Sequence, residues 1–353
     1  MPTWGEILLE LQAPGREMRE RLARGEAVPP QALSQLMVDF DGVRRKYLAR
    51  VFSLTGRPVI LYAGNWTSPK PGLDPDFVSI IPEDIQGLME VMHGVPEGSV
   101  DLILHSPGGS PEAAGSIVSY LRSKFQDVRV FVPHAAMSAA TMLACSANRI
   151  VMGKHSFLGP IDPQFIIQTD LGRRLVPAYA ILQQFELAKK ECAENPAFAP
   201  AWLAMLRQYG PALIIQCRLA QELAVSLVAQ WLDSYMLHGS SGAVTGASIA
   251  AKLADHAHFK SHSRFIDRAQ ARELGLTIDD LEADQNLQDA VLSVFHATSH
   301  TFNGTPCVKI IENHLGKTFA KQQQQVFVPQ QVPIRPVAPA APIPAAPPGP
   351  PHS

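Results

Sequence analysis

The chain has 353 residues, 46% of them hydrophobic and 18% charged, which is enough apolar material for a sizeable core. Its 30 basic residues face 32 acidic ones, a formal net charge of -2 with no long run of either sign, so neither nucleic acid nor an anionic membrane is an expected partner. Four widely spaced cysteines, Cys145, Cys192, Cys217 and Cys307, form no CxxC pair; they suggest neither a zinc ligand set nor a disulfide framework, and a reduced, cytoplasmic setting fits them.

Residues 4 to 24 carry apolar positions at helical spacing, and Pro14-Gly15 divides them into two expected short helices. After Pro29-Pro30 a further helix is expected through Leu33, Leu36, Met37 and Phe40 to Val51. Residues 1 to 50 thus read as a helical arm, either completing the core or meeting a second subunit. The amino terminus brings charge too early for a signal-peptide apolar region.

Pro58 to Ala63 is the first buried strand, followed by a Gly, Pro, Asn and Ser-rich loop and a helix through Ile85, Leu88 and Met92. Val100 to Leu104 is the next strand, residues 111 to 124 an amphipathic helix, and Val128 to Val132 a third strand. A largely apolar helix from Ser138 to Ala147 and a strand from Ile150 to Met152 complete the series. Strand alternating with helix at this pace implies right-handed crossovers and a mainly parallel sheet, so the class is α/β.

Residues 178 to 237 are strongly helical, with breaks at Asn195-Pro196 and Gly210-Pro211. The most apolar long stretch, Pro211 to Leu232, is interrupted by Gln216, Arg218, Gln221, Glu222 and Gln230, and no membrane segment is expected. Helices follow at Ala247 to Leu253, in 259 to 278 before a turn at Gly275, and from Leu281 to Ser299; Val308 to Asn313 comes after them. The catalytic domain is placed at 51–320. The Gln-, Pro- and Ala-rich tail 321–353 cannot bury enough apolar surface to offset ordering and is expected to be disordered.

Two short pieces carry the chemistry: Ser106-Pro107-Gly108-Gly109-Ser110 and Ala135-Ala136-Met137-Ser138-Ala139-Ala140. Each follows a strand and precedes a helix, where open α/β folds place their sites. Acyl transfer by a serine needs an accessible hydroxyl, a base and amides aimed at the developing oxyanion. Ser138, flanked by small residues, suits the first; Gly108 and Gly109, without side chains, suit the third. Taken alone, Ser138 reads as a helix N-cap and SPGG as a simple turn; the two together, on adjacent strands about 30 residues apart, favour the catalytic reading.

The order strand, SPGG, helix, strand, small-flanked serine, helix, strand resembles the Clp protease and crotonase superfamily. WGEILLEL at the amino terminus, RRKYLARVFSLTGRPVILY, LGPIDPQ and SHSRFIDRAQARELGL together resemble the serine dehydrogenase proteinase family, relatives of signal peptide peptidase A. The resemblance covers residues 3 to 315. It implies a fold of repeated ββα units, a cofactor-free peptidase acting on peptides or proteins, Ser138 as nucleophile, Gly108 and Gly109 as oxyanion donors, and assembly into a homo-oligomer.

The base departs from the Clp pattern, because Pro160 stands where a histidine is expected and His155 lies five residues earlier. Lys190 follows Ser138 by 52 residues, similar to the spacing of a serine-lysine dyad in signal peptide peptidase A, and burial would let it act as a base. In ELAKKECAEN it is equally placed on a solvated helix face. Asp162 and His262 are further candidates, and His134 is expected to line the cleft. A crotonase-like enzyme acting on acyl-CoA and a non-enzymatic scaffold are the alternatives; no basic cluster for CoA phosphates stands near Gly108.

Overall fold

A computed structural model describes residues 3–26, 38–169, 172–239, 242 and 244–323 of the chain. Part of the second amino-terminal helix expected from sequence, from Leu33 to Met37, and the tail from residue 324 onward lie outside the described residues.

The chain opens with α1 (Trp4–Ala23) and α2 (Phe40–Thr55), then β1 (Val59–Gly64), α3 (Asp84–Met92), β2 (Gly98–His105) and α4 (Pro111–Lys124). Next come β3 (Phe125–Val132), the two-residue β4 (Ala135–Ala136), α5 (Ala139–Cys145), β5 (Arg149–Met152) and β6 (Phe157–Leu158). A hairpin of β7 (Gln164–Thr169) and β8 (Gly172–Pro177) leads to α6 (Ala178–Glu194), α7 (Ala199–Leu206), α8 (Leu213–Trp231) and α9 (Gly246–Leu253). The described chain ends with α10 (His256–Phe259), α11 (Arg268–Leu274), β9 (Ile278–Asp280), α12 (Gln285–Gly304), β10 (Cys307–Asn313) and β11 (Thr318–Gln322).

Seven strands form the main sheet in the order β11-β10-β1-β2-β3-β5-β9. The run from β1 to β9 is parallel throughout, whereas β10 and β11 join antiparallel at one edge. This is the mainly parallel α/β sheet expected from sequence. Period-two alternation divides each central strand between two cores. Ile60, Tyr62, Leu102 and Leu104 face the layer that includes α3, α4, α5, α8 and α9. Val59, Leu61 and Ile103 face the layer of α1, α2 and α12.

The amino-terminal arm differs from expectation. Pro14 lies inside one continuous helix rather than between two. A proline removes one backbone hydrogen bond, but Ile7, Leu11, Gly15 and Met18 form a buried stripe across it, and a Thr3–Glu6 capping box fixes the start. Packing against α2 and α12 therefore outweighs the break. Arg44 of α2 is buried in an ion pair with Glu312 of β10, which ties this layer to the sheet edge. The breaks at Asn195-Pro196 and Gly210-Pro211 are present as expected. The β7–β8 hairpin and strand β11 had no sequence expectation, and β11 runs to Gln322, into the stretch expected to be tail. Among the described residues no helix is long and apolar enough to cross a membrane.

Candidate active site

Both sequence pieces lie at the carboxyl ends of central strands, and the structure brings them into contact. Beyond β2, Ser106 pairs with the strand leading to Ser138: its N–H donates to Ala135 O at 3.2 Å, and its carbonyl accepts from Met137 N at 3.0 Å. A Cβ built on Gly108 would stand 2.6 Å from Met137 O, 2.7 Å from Ser138 Cβ and 2.9 Å from Ala139 N. Gly108 also has φ +98°, so side-chain bulk and backbone angle both demand glycine there.

Ser138 sits at φ 52°, ψ -121°, a conformation that non-glycine residues rarely adopt, and its side chain makes no capping bond to α5. The N-cap reading of this serine is therefore not what the geometry displays. Ser138 is partly exposed at this sharp turn, while Met137 and Ala139 are buried. Strain of this kind persists where the surroundings over-determine it. Here the determinants are the Ser106–Ala136 pairing before the turn, α5 after it, and Gly108 against its flank.

Gly109, at φ +149°, forms a parallel bridge with Ile80. Ile80 N donates to Gly108 O at 2.6 Å, and Ser110 N donates to Ile80 O at 2.9 Å. In such a bridge the neighbours of Gly109 make the bonds, so its own N–H points away from Ile80. Gly108 N donates to Ser106 Oγ at 3.2 Å. Ser110 then caps α4, accepting from Ala113 N at 3.0 Å with Pro111 in the first turn.

The segment after β5 runs past the Ser138 turn. Phe157 and Leu158 pair with Ala135 and Ala136. A Cβ on Gly159 would stand 2.6 Å from Met137 Cε, and Gly159 N donates to Thr141 Oγ1 at 3.0 Å. Three residues further on, Asp162 is a buried carboxylate between two imidazoles: His256 Nδ1 lies 2.7 Å from Oδ2 and His262 Nδ1 lies 2.8 Å from Oδ1. Engaging Nδ1 leaves Nε2 of each ring for other work. Two sequence candidates, Asp162 and His262, are thus joined. His256 was not singled out from sequence, although His256, His258 and His262 stand within seven residues.

Lys190 is 72% exposed on α6, 4.0 Å from Glu194, and its helix packs on β8, α7 and α8. His155 is exposed, with its ring folded over Gly153. His134 is half-buried with its ring 5.5 Å from that of His105, and burial, then the charge of His155, holds its pKa below the ordinary value. His105 itself is fully buried, its Nδ1 3.1 Å from Ala135 O, and burial pushes its pKa down to about 3. Among the described residues no group of three or more His, Cys, Asp or Glu is arranged to hold a metal ion.

A mainly parallel sheet with a glycine pair after one strand, touching a strained serine after the next, is consistent with a ClpP-like fold. Residues 75–195 match the family model described as ClpP-like SDH-type serine proteinase. The resemblance read from the residues therefore holds over the segment that carries Gly108, Gly109, Ser138, His155, Asp162 and Lys190. Two uncharacterized proteins of Methanocaldococcus jannaschii are similar, at 39% and 36% identity over 89 residues, 25% of this chain. The chain spans 30% of the length of each of these curated relatives. A solved membrane-bound stomatin-specific protease aligns at 16% identity with a TM-score of 0.32, over 57% of this chain and 74% of its own.

Proposed function

We propose that the chain is a serine peptidase that cleaves peptide bonds through an acyl-enzyme on Ser138. The observation that carries the reading is the contact between Gly108 and the strained Ser138 turn, because it joins a glycine-lined wall to an uncapped serine hydroxyl. Ser138 Oγ attacks the scissile carbonyl. Of the two glycines expected as oxyanion donors, Gly108 spends its N–H on Ser106 Oγ, so in this reading the N–H groups of Gly109 and of Ala139, which lies against Gly108, receive the oxyanion. The hydroxyl proton passes to an imidazole and then to the leaving amine, after which water releases the acyl group.

For the base we assign His262, oriented by Asp162. Its Nδ1 is engaged by a buried carboxylate, the arrangement that holds an imidazole in the tautomer a base requires. His256 shares the carboxylate but also packs on Tyr179 at 5.4 Å, which ranks it second. Lys190 and His155 remain rival bases; both are exposed. The substrate is a peptide or protein, no cofactor takes part, and the working form is a cytoplasmic homo-oligomer.

The test is covalent labelling by a fluorophosphonate probe. Parent protein should label on the peptide containing Ser138 and Ser138→Ala should not. Equal labelling of the two proteins would remove Ser138 from the mechanism.

A further inference from the structure

Away from the reacting groups, a buried ammonium sits at the carboxyl end of β1 without a role in the chemistry above. Lys309 of β10 pairs in register with Gly64 and has no exposed side-chain surface. Its Nζ lies 2.9 Å from Asp84 Oδ1 and 3.0 Å from Oδ2, and donates to the carbonyl of Ser79. Asp84 Oδ2 accepts from Tyr62 OH at 2.7 Å and from Ile81 N at 2.9 Å.

These bonds fall on the two peptide groups that flank Ile80. In extended chain, successive peptide groups point to opposite sides. Ile80's own N–H and C=O are spent on Gly108 O and Ser110 N. The carbonyl of Ser79 and the N–H of Ile81, on the other side, are taken by Lys309 and Asp84. An ammonium supplies the donor and a carboxylate the acceptor that a neighbouring strand would otherwise provide. Packing leaves little slack, since a Cβ on Gly64 would stand 2.6 Å from Val78 O and one on Gly109 2.3 Å from Ile80 O.

We infer that Lys309 and Asp84, with Tyr62, are positioning residues that clamp the Ile80 segment and thereby set the Gly108-Gly109 peptide in the catalytic wall. A buried ion pair adds little stability over apolar residues of similar size. The pair's distinctive contribution is its hold on two backbone groups that apolar side chains cannot bond. As a catalytic device the clamp rests on the peptidase reading; as a backbone device it does not.

The experiment measures two quantities in the parent, in Asp84→Leu/Lys309→Met and in Asp84→Asn: amide hydrogen exchange at Ile80 and Ser110, and the rate of fluorophosphonate labelling at Ser138. The apolar pair loses both holds, so exchange should quicken about 10-fold or more and labelling slow roughly 10- to 100-fold. Asparagine keeps an acceptor for Ile81 but leaves the Lys309 ammonium buried without its counter-charge, so exchange should quicken about threefold or more and labelling should slow with it. A folded apolar-pair variant with parental exchange and labelling overturns the clamp. Should that variant not fold, Asp84→Asn decides alone, and parental exchange together with parental labelling overturns the inference. A parent that never labels, while exchange responds as described, sinks the peptidase reading and leaves the clamp standing.

Discussion

Gly108 and Ser138 stand 30 residues apart in sequence, yet a Cβ on the glycine would lie 2.7 Å from the serine Cβ. Gly108→Ala must push on Met137 O and Ala139 N as well, and must hold alanine at φ +98°. The strain should lower unfolding free energy by about 1–3 kcal/mol. If Ser138 is the nucleophile of a peptidase, as proposed, its displacement should cost on the order of 100-fold in peptidase rate. Denaturant titration and turnover of a peptide substrate, measured on the same preparation, check both; a variant with parental turnover would show that the contact does not set the geometry.

Ser138 carries its own strain, and glycine relieves it. On the proposed mechanism Ser138→Gly should be inactive, and it should be more stable than the parent by about 1 kcal/mol, because φ 52° costs glycine little. Ser138→Ala should be equally inactive without that gain, since alanine keeps the Cβ that the backbone angle disfavours. Thermal unfolding of the two variants side by side measures the difference, and equal stabilities would refute strain at the turn.

Acid should destabilise the fold through His105. Its folded pKa of about 3 lies below the ordinary 6.5, so between these values the unfolded chain binds a proton that the folded chain refuses. Stability from this group is therefore fully present above pH 6.5 and is lost as pH falls toward 3, by an amount on the order of a few kcal/mol. His134, depressed in the same direction by burial, adds to the slope. His105→Asn should lower stability at neutral pH by disturbing the bond to Ala135 O. It should also flatten the dependence between pH 7 and 4, measured by urea unfolding at each pH. A parental slope in the variant would rule out His105 as the titrating group.

The fold was legible wherever local pattern and tertiary packing agree. The apolar runs of β1, β2, β3 and β5 and the amphipathic α4 are plain in sequence because the apolar stretch of each strand is buried and Ser110-Pro111 is a strong helix start. Pro14 misled because a buried stripe in α1 outweighs a local break. β11 and the β7–β8 hairpin have mixed burial and lack the long apolar runs that mark the central strands. In the site, glycines and a small-flanked serine announce themselves by chemistry. The Asp162–His262 pair spans 100 residues, and Ile80's contact with Gly109 is a backbone pairing with no side-chain signature. Such relationships exist only once the sheet is assembled.

The identity of the base is the most decisive remaining measurement. If His262 removes the Ser138 proton, His262→Ala should lower kcat roughly 100- to 10,000-fold, the usual worth of a general base. Asp162→Asn should fall in the same range, because an amide no longer favours the proton on Nδ1 of the ring it holds. His256→Ala should cost less, as Asp162 would still orient His262. Lys190→Ala, which removes an exposed side chain near Glu194, should keep parental kcat, as should His155→Ala. The five variants compared at saturating peptide, with circular dichroism as the control for folding, separate the assignments. A Lys190→Ala protein that is folded and inactive, beside an active His262→Ala, would transfer the base to the lysine.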